Sequence, residues 1–444
     1  MRGRVEQWSS TKGHTMKHWK TGIAAVAAIA SLSVAGCSSS SEQSPSASGT
    51  AGGDTLTGTV TYWHAYSADS PEVSTLEDTI IPAFEKLHPG VTVEDVPVPY
   101  DELHQKLVTA VAGEQLPDLV RADIGWVPEL ANLGVLEPVS DTMPDFQDLA
   151  DKVFPGTLAT NLWKGTYYGL PLDTNTRVML YDASFFEKAG VAVPTTVDQL
   201  KAAAPALKSA GAYAFADNGA SGWNVLPWIW SAGGDITDAD VTKSTGYLNS
   251  AASVKGVQTL VDLFNSGYMP DIILGGEGGL ATSDGLATNK YATILDGPWM
   301  YPIFAGQYPD FTVSASQVPA GDGGSISVVG GEDIVLTKQS QNKEAAMEFM
   351  RYLLSEDAQL AMAKVGQMPV LSDLGDQLSA INAYYAPFVE QLQTAKPRPV
   401  TPAWTQIDTI LQDEIRAAFR GEKTVQEALD SAASQADVLL AEYN

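Results

Sequence analysis

The stretch VTVEDVPVPYDELHQKLVTAVAGEQLPDLVRAD at residues 91–123 decides the fold, because it contains a complete strand–helix–strand unit. Its first part (91–98) and its last part (118–123) have the apolar pattern that is typical of strands. Between them, residues 101–114 have the apolar spacing of a helix. Strands joined in this way belong to a parallel sheet that is covered by the helix, so the stretch predicts an α/β fold.

The same alternation extends on both sides of this unit. Upstream, TGTVTYWH (57–64) is strand-like, and residues 70–72 supply the cap, the proline and the acid of a helix start. Downstream, the alternation returns over 167–215 and 291–336. Because about 390 residues exceed the usual size of one core, we expect two lobes. Helical stripes are predicted at Leu76, Ile80, Phe84 and Leu87, at Ile407, Ile410, Leu411, Ile415, Ala418 and Phe419, and at Val425, Ala428, Leu429, Ala432, Ala436 and Leu439.

The N-terminal segment has the layout of an export signal. LSVAGC (32–37) ends in Cys37, the only cysteine of the chain, and follows two lysines and an uncharged run of small and apolar residues. This ending resembles a bacterial lipobox, in which the thiol receives a diacylglycerol. We therefore predict a signal peptide over 1–36, with the true start at Met16, and a lipidated flexible linker over 37–56.

Composition and motifs restrict the possible functions. The net charge of −27 disfavours nucleic acid and anionic lipid as partners and suits neutral or cationic ligands. No zinc-protease, serine-hydrolase or nucleotide-binding motif is present. Asp238 and Asp240 could bind calcium, but the loop 235–240 lacks the glycine and distal glutamate of a calcium loop, which favours a solvated acidic loop. A carboxylate pair for glycoside hydrolysis stays open among so many acids.

The tryptophans point to a binding cleft. Several stand beside glycine, proline, aspartate or asparagine at strand ends, where an indole can line a cleft at the carboxyl edge of a sheet. A flat aromatic face matches the C–H face of a pyranose, and carboxylates and amides match its hydroxyls. Burial in a core is the alternative for each of them. We assign Trp63, Trp223, Trp299 and Trp404 to the cleft, and Trp126, Trp163, Trp228 and Trp230 to the core.

The chain resembles the solute-binding lipoproteins of bacterial carbohydrate ABC importers, the class that includes maltose-binding protein. The resemblance covers nearly the whole chain after the signal peptide. It rests on the order and spacing of TYWH (61–64), LPDLVRADIGWVPELANLGVLEPV (116–139), YYGLPLDTNTRVMLYDASFFEKAGV (167–191), WIWSAGGD (228–235), ATILDGPWMY (292–301), VVGGEDIVL (328–336) and RPVTPAW (398–404).

This resemblance implies a two-lobe α/β fold of the periplasmic-binding-protein type, with a hinge between discontinuous lobes. Lobe one would contain 57–172 and 333–392, and lobe two would contain 176–330 and 398–444. The hinge crossings would lie at Asp173–Asn175, Gly330–Glu332 and Lys396–Arg398. A ligand would bind between the lobes.

The resemblance also implies ligand-binding residues. Trp299, Trp404 and Trp223 correspond to stacking aromatics, Asp123 to a hydroxyl-binding carboxylate, and Asn175 to a polar hinge contact. The maltose-specific protein has an acid at the position of Asn175, so the resemblance does not extend to maltodextrin specificity. The remaining predicted contacts are Trp63, Tyr66, Tyr100, Glu332 and Arg398.

We therefore expect a non-catalytic receptor, lipid-anchored on the extracellular face of the cell membrane. It would bind a neutral oligosaccharide and deliver it to an ABC permease, as a monomer without metal or cofactor. One alternative is a receptor for another solute such as a glycerophosphodiester, since YWHA also occurs in those relatives. A phosphate needs convergent cations, and only Arg121, Arg177 and Arg398 are near the predicted cleft. Another alternative is a lipid-anchored glycosidase.

Overall fold

The structure is a computed structural model, and it describes residues 56–68, 70–275 and 281–443. The predicted signal peptide (1–36), the lipidation of Cys37 and all but the last residue of the predicted linker lie outside these residues. Within the described ranges, no helix is long and apolar enough to cross a membrane.

A six-stranded sheet, named sheet A, is built around the stretch that decides the fold. The strands of the chain are β1 (Gly58–His64), β2 (Val91–Pro97), β3 (Leu119–Asp123), β4 (Leu162–Trp163), β5 (Thr166–Tyr167), β6 (Gly169–Thr176), β7 (Val178–Tyr181), β8 (Thr293–Asp296), β9 (Ser314–Ser316), β10 (Val329–Leu336) and β11 (Met368–Pro369). Sheet A has the order β11-β6-β10-β3-β1-β2. β1 pairs in parallel with β2 and β3, as predicted, whereas β10 runs antiparallel to β3 and β6.

A smaller sheet, named sheet B, has the order β8-β7-β9. Both of its strand pairs are antiparallel, so the parallel sheet that the alternation over 167–215 and 291–336 indicates is wrong for β7. Only Arg177 separates β6 of sheet A from β7 of sheet B, so the chain enters sheet B without a helical crossover. The direction of β7 therefore follows from that of β6. Isolated parallel bridges do join residues 213–216 to residues 291–294 on the other side of β8.

Helices cover both sheets. They are α1 (Glu72–Thr75), which continues through a π turn at Leu76–Ile80 into α2 (Ile81–Leu87), α3 (Tyr100–Gly113), α4 (Val127–Asn132), α5 (Val139–Thr142), α6 (Phe146–Ala150), α7 (Pro155–Leu158), α8 (Ala183–Ala189), α9 (Val197–Ser209), α10 (Gly222–Ser231), α11 (Ala251–Asn265), α12 (Thr282–Ala287), α13 (Met300–Gln307), α14 (Lys343–Leu353), α15 (Glu356–Ala363), α16 (Leu378–Ile381), α17 (Ala386–Leu392), α18 (Trp404–Phe419) and α19 (Val425–Leu440). The predicted stripes of the last two helices are buried at most of their positions. Leu87, predicted to lie on the buried stripe of the first helix, is instead 65% exposed.

Each sheet separates two apolar clusters, because successive strand residues point to opposite faces. In sheet A, Tyr62 packs on one face and Val120 on the other. In sheet B, Met179 packs in the cluster on one face and Val178 in the cluster on the other. The chain thus forms a two-lobe α/β fold with a core around each sheet.

One predicted lobe boundary differs from the packing. We assign 333–392 to lobe one from the sequence, yet Tyr385 and Phe388 belong to an apolar cluster on sheet B. Gln391 also accepts a hydrogen bond of 2.8 Å from the backbone N–H of Val318. The last part of this segment therefore packs with the second lobe. The other predicted boundaries stay predictions.

Candidate binding site between the sheets

Two of the predicted tryptophans lie side by side beyond the end of sheet B. Trp299 follows β8 after a glycine and a proline, and Trp223 lies in the first turn of α10. Their ring centroids are 6.2 Å apart with an angle of 29° between the planes, and both side chains are half-buried. A Cβ on Gly297 would lie 2.2 Å from the Trp299 ring, so only glycine allows the indole to fold back there. The pair presents a partly exposed aromatic surface.

Asn175 lies beside this pair, where the strands of sheet A lead toward sheet B. It is opposite Gly330 in the pairing of β6 with β10. The residue is only 6% exposed, and its Oδ1 has no hydrogen-bond partner among the described residues. A Cβ at position 330 would lie 2.2 Å from this oxygen and 2.7 Å from the Trp223 ring. The missing side chain therefore lets the amide and the indole approach each other.

Three other predicted residues converge at the end of β3. Asp123 accepts a hydrogen bond of 2.7 Å from the Tyr100 hydroxyl, and its Oδ1 lies 2.8 Å from Nη2 of Arg398. The Tyr100 ring stacks on Trp126 at 5.5 Å and is 46% exposed. Arg398 is 9% exposed in its side chain, and its Nε and Nη2 make no aligned hydrogen bond with the described residues. The group thus combines a salt-bridged carboxylate with a guanidinium whose Nε has no hydrogen-bond partner among the described residues.

Glu332 belongs to a buried ion network in the middle of sheet A. Its Oε2 accepts a hydrogen bond of 2.7 Å from Nη2 of Arg121, which also donates to Asp173 at 2.9 Å and to Gln367 at 3.1 Å. Burial raises the pKa of Glu332, and the guanidinium of Arg121 opposes this shift. Arg121 is held by the protein on several sides, so an anionic ligand would have to compete with these partners.

Trp404 lies at the start of α18 and is enclosed. It is 3% exposed, and its indole lies between two glycines from different parts of the chain. A Cβ on Gly125 or on Gly222 would come within 2.9 Å of the ring. In this arrangement the indole offers no free face, because both sides are covered. Its predicted role as a stacking platform stays a prediction.

The two remaining predicted aromatics are also covered by other side chains. Trp63 is half-buried, and Nζ of Lys106 lies 3.9 Å from its ring centroid. Tyr66 is 5% exposed, and the guanidinium of Arg121 lies 4.2 Å from its ring centroid. The structure does not bring these rings to the Trp223–Trp299 pair. Their contact with a ligand stays a prediction.

Carboxylates outnumber guanidinium groups in this region. Three arginines each have at least two acids around them, through direct salt bridges or through their electrostatic field. The groups are Arg121 with Asp173 and Glu332, Arg177 with Asp217 and Asp296, and Arg398 with Asp123 and Asp408. Each group therefore carries a formal negative excess.

Asp296 and Asp408 are the acids of this set that lack a direct arginine partner. The salt bridges of Arg177 and Arg398 go to Asp217 and Asp123 instead, at 2.8 Å each. Burial raises the pKa of Asp296 to about 6, against the opposing effect of Arg177. Burial likewise raises the pKa of Asp408 to about 6, against a hydrogen bond from the Gly222 N–H and the field of Arg398.

These two acids are not among the residues predicted from the sequence, although signals for both are present. Asp296 directly precedes the Gly-Pro-Trp turn that presents Trp299. Asp408 is four residues after Trp404, which places the two side chains on the same face of α18. The hydrogen bond from Gly222 to Asp408 joins residues far apart in the chain, and no local pattern indicates it.

The acidic loop considered for calcium is bound to itself. The Asp238 carboxylate accepts hydrogen bonds from the Thr242 N–H at 2.6 Å and from the Thr242 hydroxyl at 2.5 Å. Within the part of the chain that the structure describes, no group of three or more histidine, cysteine, aspartate or glutamate side chains could hold a metal ion.

The sequence and the fold match a known protein family. The sequence profile of the bacterial extracellular solute-binding proteins matches residues 67–360. The chain therefore belongs to this family.

Individual relatives add detail. The chain is similar to the GacH receptor of Streptomyces glaucescens, solved unliganded and with acarbose, with a TM-score of 0.80, 26% identity, and coverage of 88% of this chain and 100% of that one. It is similar to an ABC transporter solute-binding protein of Thermotoga lettingae bound to α-D-tagatose, with a TM-score of 0.77, 27% identity, and coverage of 86% and 99%. It is also 26% identical to the sn-glycerol-3-phosphate-binding periplasmic protein UgpB of Pectobacterium atrosepticum, over 86% of this chain and 91% of that protein. These relatives are binding proteins.

Proposed function

We propose that the protein is a non-catalytic receptor that captures an oligosaccharide between its two lobes and delivers it to an ABC importer. The observation that carries this proposal is the half-buried Trp223–Trp299 pair beside the unpartnered Oδ1 of Asn175. The indoles can stack on the apolar face of a sugar ring while the amide oxygen accepts a hydrogen bond from a hydroxyl. The relatives solved with sugars support the same ligand class.

A thermal-shift screen tests this proposal. A ligand that binds only the folded state raises the melting temperature by mass action, by an amount that grows with its concentration. We expect at least one saccharide of a panel of mono- to tetrasaccharides to raise the melting temperature in this way. The proposal is wrong if every saccharide leaves the melting temperature unchanged at millimolar concentration.

A receptor for a glycerophosphodiester is the second candidate. It is favoured by the donors of Arg398 that make no aligned hydrogen bond, and by the similarity to UgpB. The acids that surround each arginine oppose it, because they repel a phosphate and already use the guanidinium groups. Including a glycerophosphodiester in the same screen separates the candidates: stabilisation by this compound alone would favour the second one.

The absence of catalysis is part of the proposal. The relatives named above are binding proteins, and the six acids of the site are arranged around arginines and not as an isolated facing pair. Incubation with a bound saccharide should return that saccharide intact. Cleaved product would support the glycosidase alternative.

Membrane attachment through Cys37 is also a proposal, and it rests on the lipobox-like sequence at 32–37. A diacylglyceryl group supplies two acyl chains, which is enough for stable anchoring, whereas one chain is marginal. We expect Cys37→Ala to leave the protein unprocessed or released, with no lipid label incorporated and with unchanged ligand affinity. Membrane retention of this variant equal to that of the wild type would contradict the anchor. The importer's permease subunits would be the partners of a monomeric receptor.

A further inference from the structure

We propose that the preferred saccharide carries a basic nitrogen, protonated when bound, which pairs with Asp408 close to the Trp223–Trp299 surface. This inference rests on the proposed function and narrows its ligand class. It replaces the sequence-based expectation of a neutral oligosaccharide.

Asp408 is held beside the residues that lead into Trp223. Its Oδ1 accepts a hydrogen bond from the Gly222 N–H, directly before Trp223 in the chain. This bond fixes the carboxylate at the start of α10, one residue before Trp223. The nearby Arg398 forms its salt bridge with Asp123. Arg398 is therefore not a direct salt-bridge partner of Asp408.

Acidic side chains outnumber the arginines in this region. At least six acids surround three arginines, and Asp296, directly before the turn to Trp299, is like Asp408 in being buried without a salt bridge to its neighbouring arginine. A buried carboxylate without a cation is costly, as the raised pKa values of both acids reflect. A ligand ammonium would remove this cost, whereas a ligand phosphate would increase it.

The aromatic surface itself also favours a cationic ligand. A cation close to the face of an indole is attracted by the electrons of the ring, in addition to its pairing with a carboxylate. Arg177 already makes such a contact with Trp223, at 5.5 Å from the ring centroid. The unpartnered Oδ1 of Asn175, nine-tenths buried and beside Trp223, supplies a further acceptor for an N–H or O–H of the ligand.

Calorimetric titration with matched saccharides tests the inference. Each sugar of the panel is used in three forms: with a free amine such as glucosamine, with the same nitrogen acetylated, and with a hydroxyl in its place. At neutral pH and low salt we expect the amine form to bind about tenfold more tightly than both neutral forms, the effect of one favourable charge pair. High salt should reduce this advantage.

Two variants assign the preference to one side chain. Asp408→Asn should lose the preference for the amine form but still bind the neutral forms, which also shows that it is folded. The matched control is Asp413→Asn on the same helix, where the side chain is 73% exposed, and it should keep the preference. Equal affinity for all three forms in the wild type, or a preference that survives Asp408→Asn, overturns the inference and leaves the receptor function intact. Failure of every form to bind contradicts the proposed function instead.

Discussion

At the scale of single residues, the site combines groups that the sequence indicates with groups that it does not. The sequence indicates Trp299 as a candidate because Gly297 and Pro298 end a strand and present the next side chain at the end of that strand. Asp123, Tyr100 and Arg398 were selected one by one, and their convergence is a product of the fold. Burial, which the local sequence does not reveal, separates otherwise similar candidates. Trp404 has the same local signals as Trp299 but is 3% exposed.

Replacing Trp299 by alanine should weaken saccharide binding by about 1–3 kcal/mol, because a stacked aromatic contact is lost. This corresponds to a dissociation constant about fivefold to 150-fold higher. Trp228→Ala is the matched control, since this indole is 2% exposed and packs edge-on against Phe215. The control should lose about 3–5 kcal/mol of stability, and its folded fraction should keep its affinity. Ligand affinity by calorimetry and unfolding without ligand are measured on both variants. Normal affinity of the Trp299→Ala variant would show that Trp299 is not part of the site.

Asp408 should make the free energy of unfolding depend on pH. Its pKa is raised to about 6 in the folded state, where Arg398 and Asp123 face it, so the folded state binds a proton more readily than the unfolded chain. Stability is then lost as the pH rises from about 4 to about 6 and stays lower above that range. Asp408→Asn should therefore be about 1–2 kcal/mol more stable than the wild type at pH 7 and similar near pH 4. Urea unfolding at both pH values checks this, and parallel profiles would contradict it.

At the scale of elements, local periodicity predicted more than strand direction did. The alternation around 91–123 correctly predicted the parallel pairing of β1 with β2 and β3, and the stripes of α18 and α19 are largely buried as expected. The direction of β7 and the docking of 378–392 on sheet B were missed, because both depend on where the chain passes from one core to the other. Apolar spacing identifies a buried face, but it does not identify the partner of that face.

The pairing of β6 with β10, which places Gly330 opposite Asn175, can be tested by substitution. Gly330→Ala would place a Cβ 2.2 Å from Oδ1 of Asn175 and 2.7 Å from the Trp223 ring, so one of them must move. We expect at least tenfold weaker saccharide binding, together with a changed tryptophan fluorescence spectrum. The control is Gly306→Ala in α13, where a Cβ meets no atom within 4 Å. If Gly330→Ala matches this control in affinity and spectrum, the proposed role of the Asn175–Trp223 contact is wrong.

At the scale of the whole molecule, the candidate site takes side chains from both sheets. Asp123 ends a strand of sheet A, and Trp299 follows a strand of sheet B. A ligand that touches both makes more contacts when the lobes are close together, and only this difference in contacts can shift the population. Hinge closure is known for periplasmic binding proteins, and we expect it here.

Small-angle scattering should therefore show a smaller radius of gyration when a saccharide is bound. The measurement is made at ligand saturation, which the calorimetric affinity defines. Trp299→Ala at the same total ligand concentration serves as the control and should show a smaller change. An identical radius with and without ligand in the wild type would mean that binding does not close the lobes.

The central claim is that this molecule binds one saccharide and does not cleave it. Native mass spectrometry with the saccharide that gives the largest thermal shift measures binding, stoichiometry and chemical integrity together. The account predicts one dominant complex whose mass equals the protein plus one intact saccharide, and dissociation in the instrument should release that saccharide unchanged. Unbound protein alone at saturating saccharide, or a complex that holds only a cleaved fragment, would contradict it.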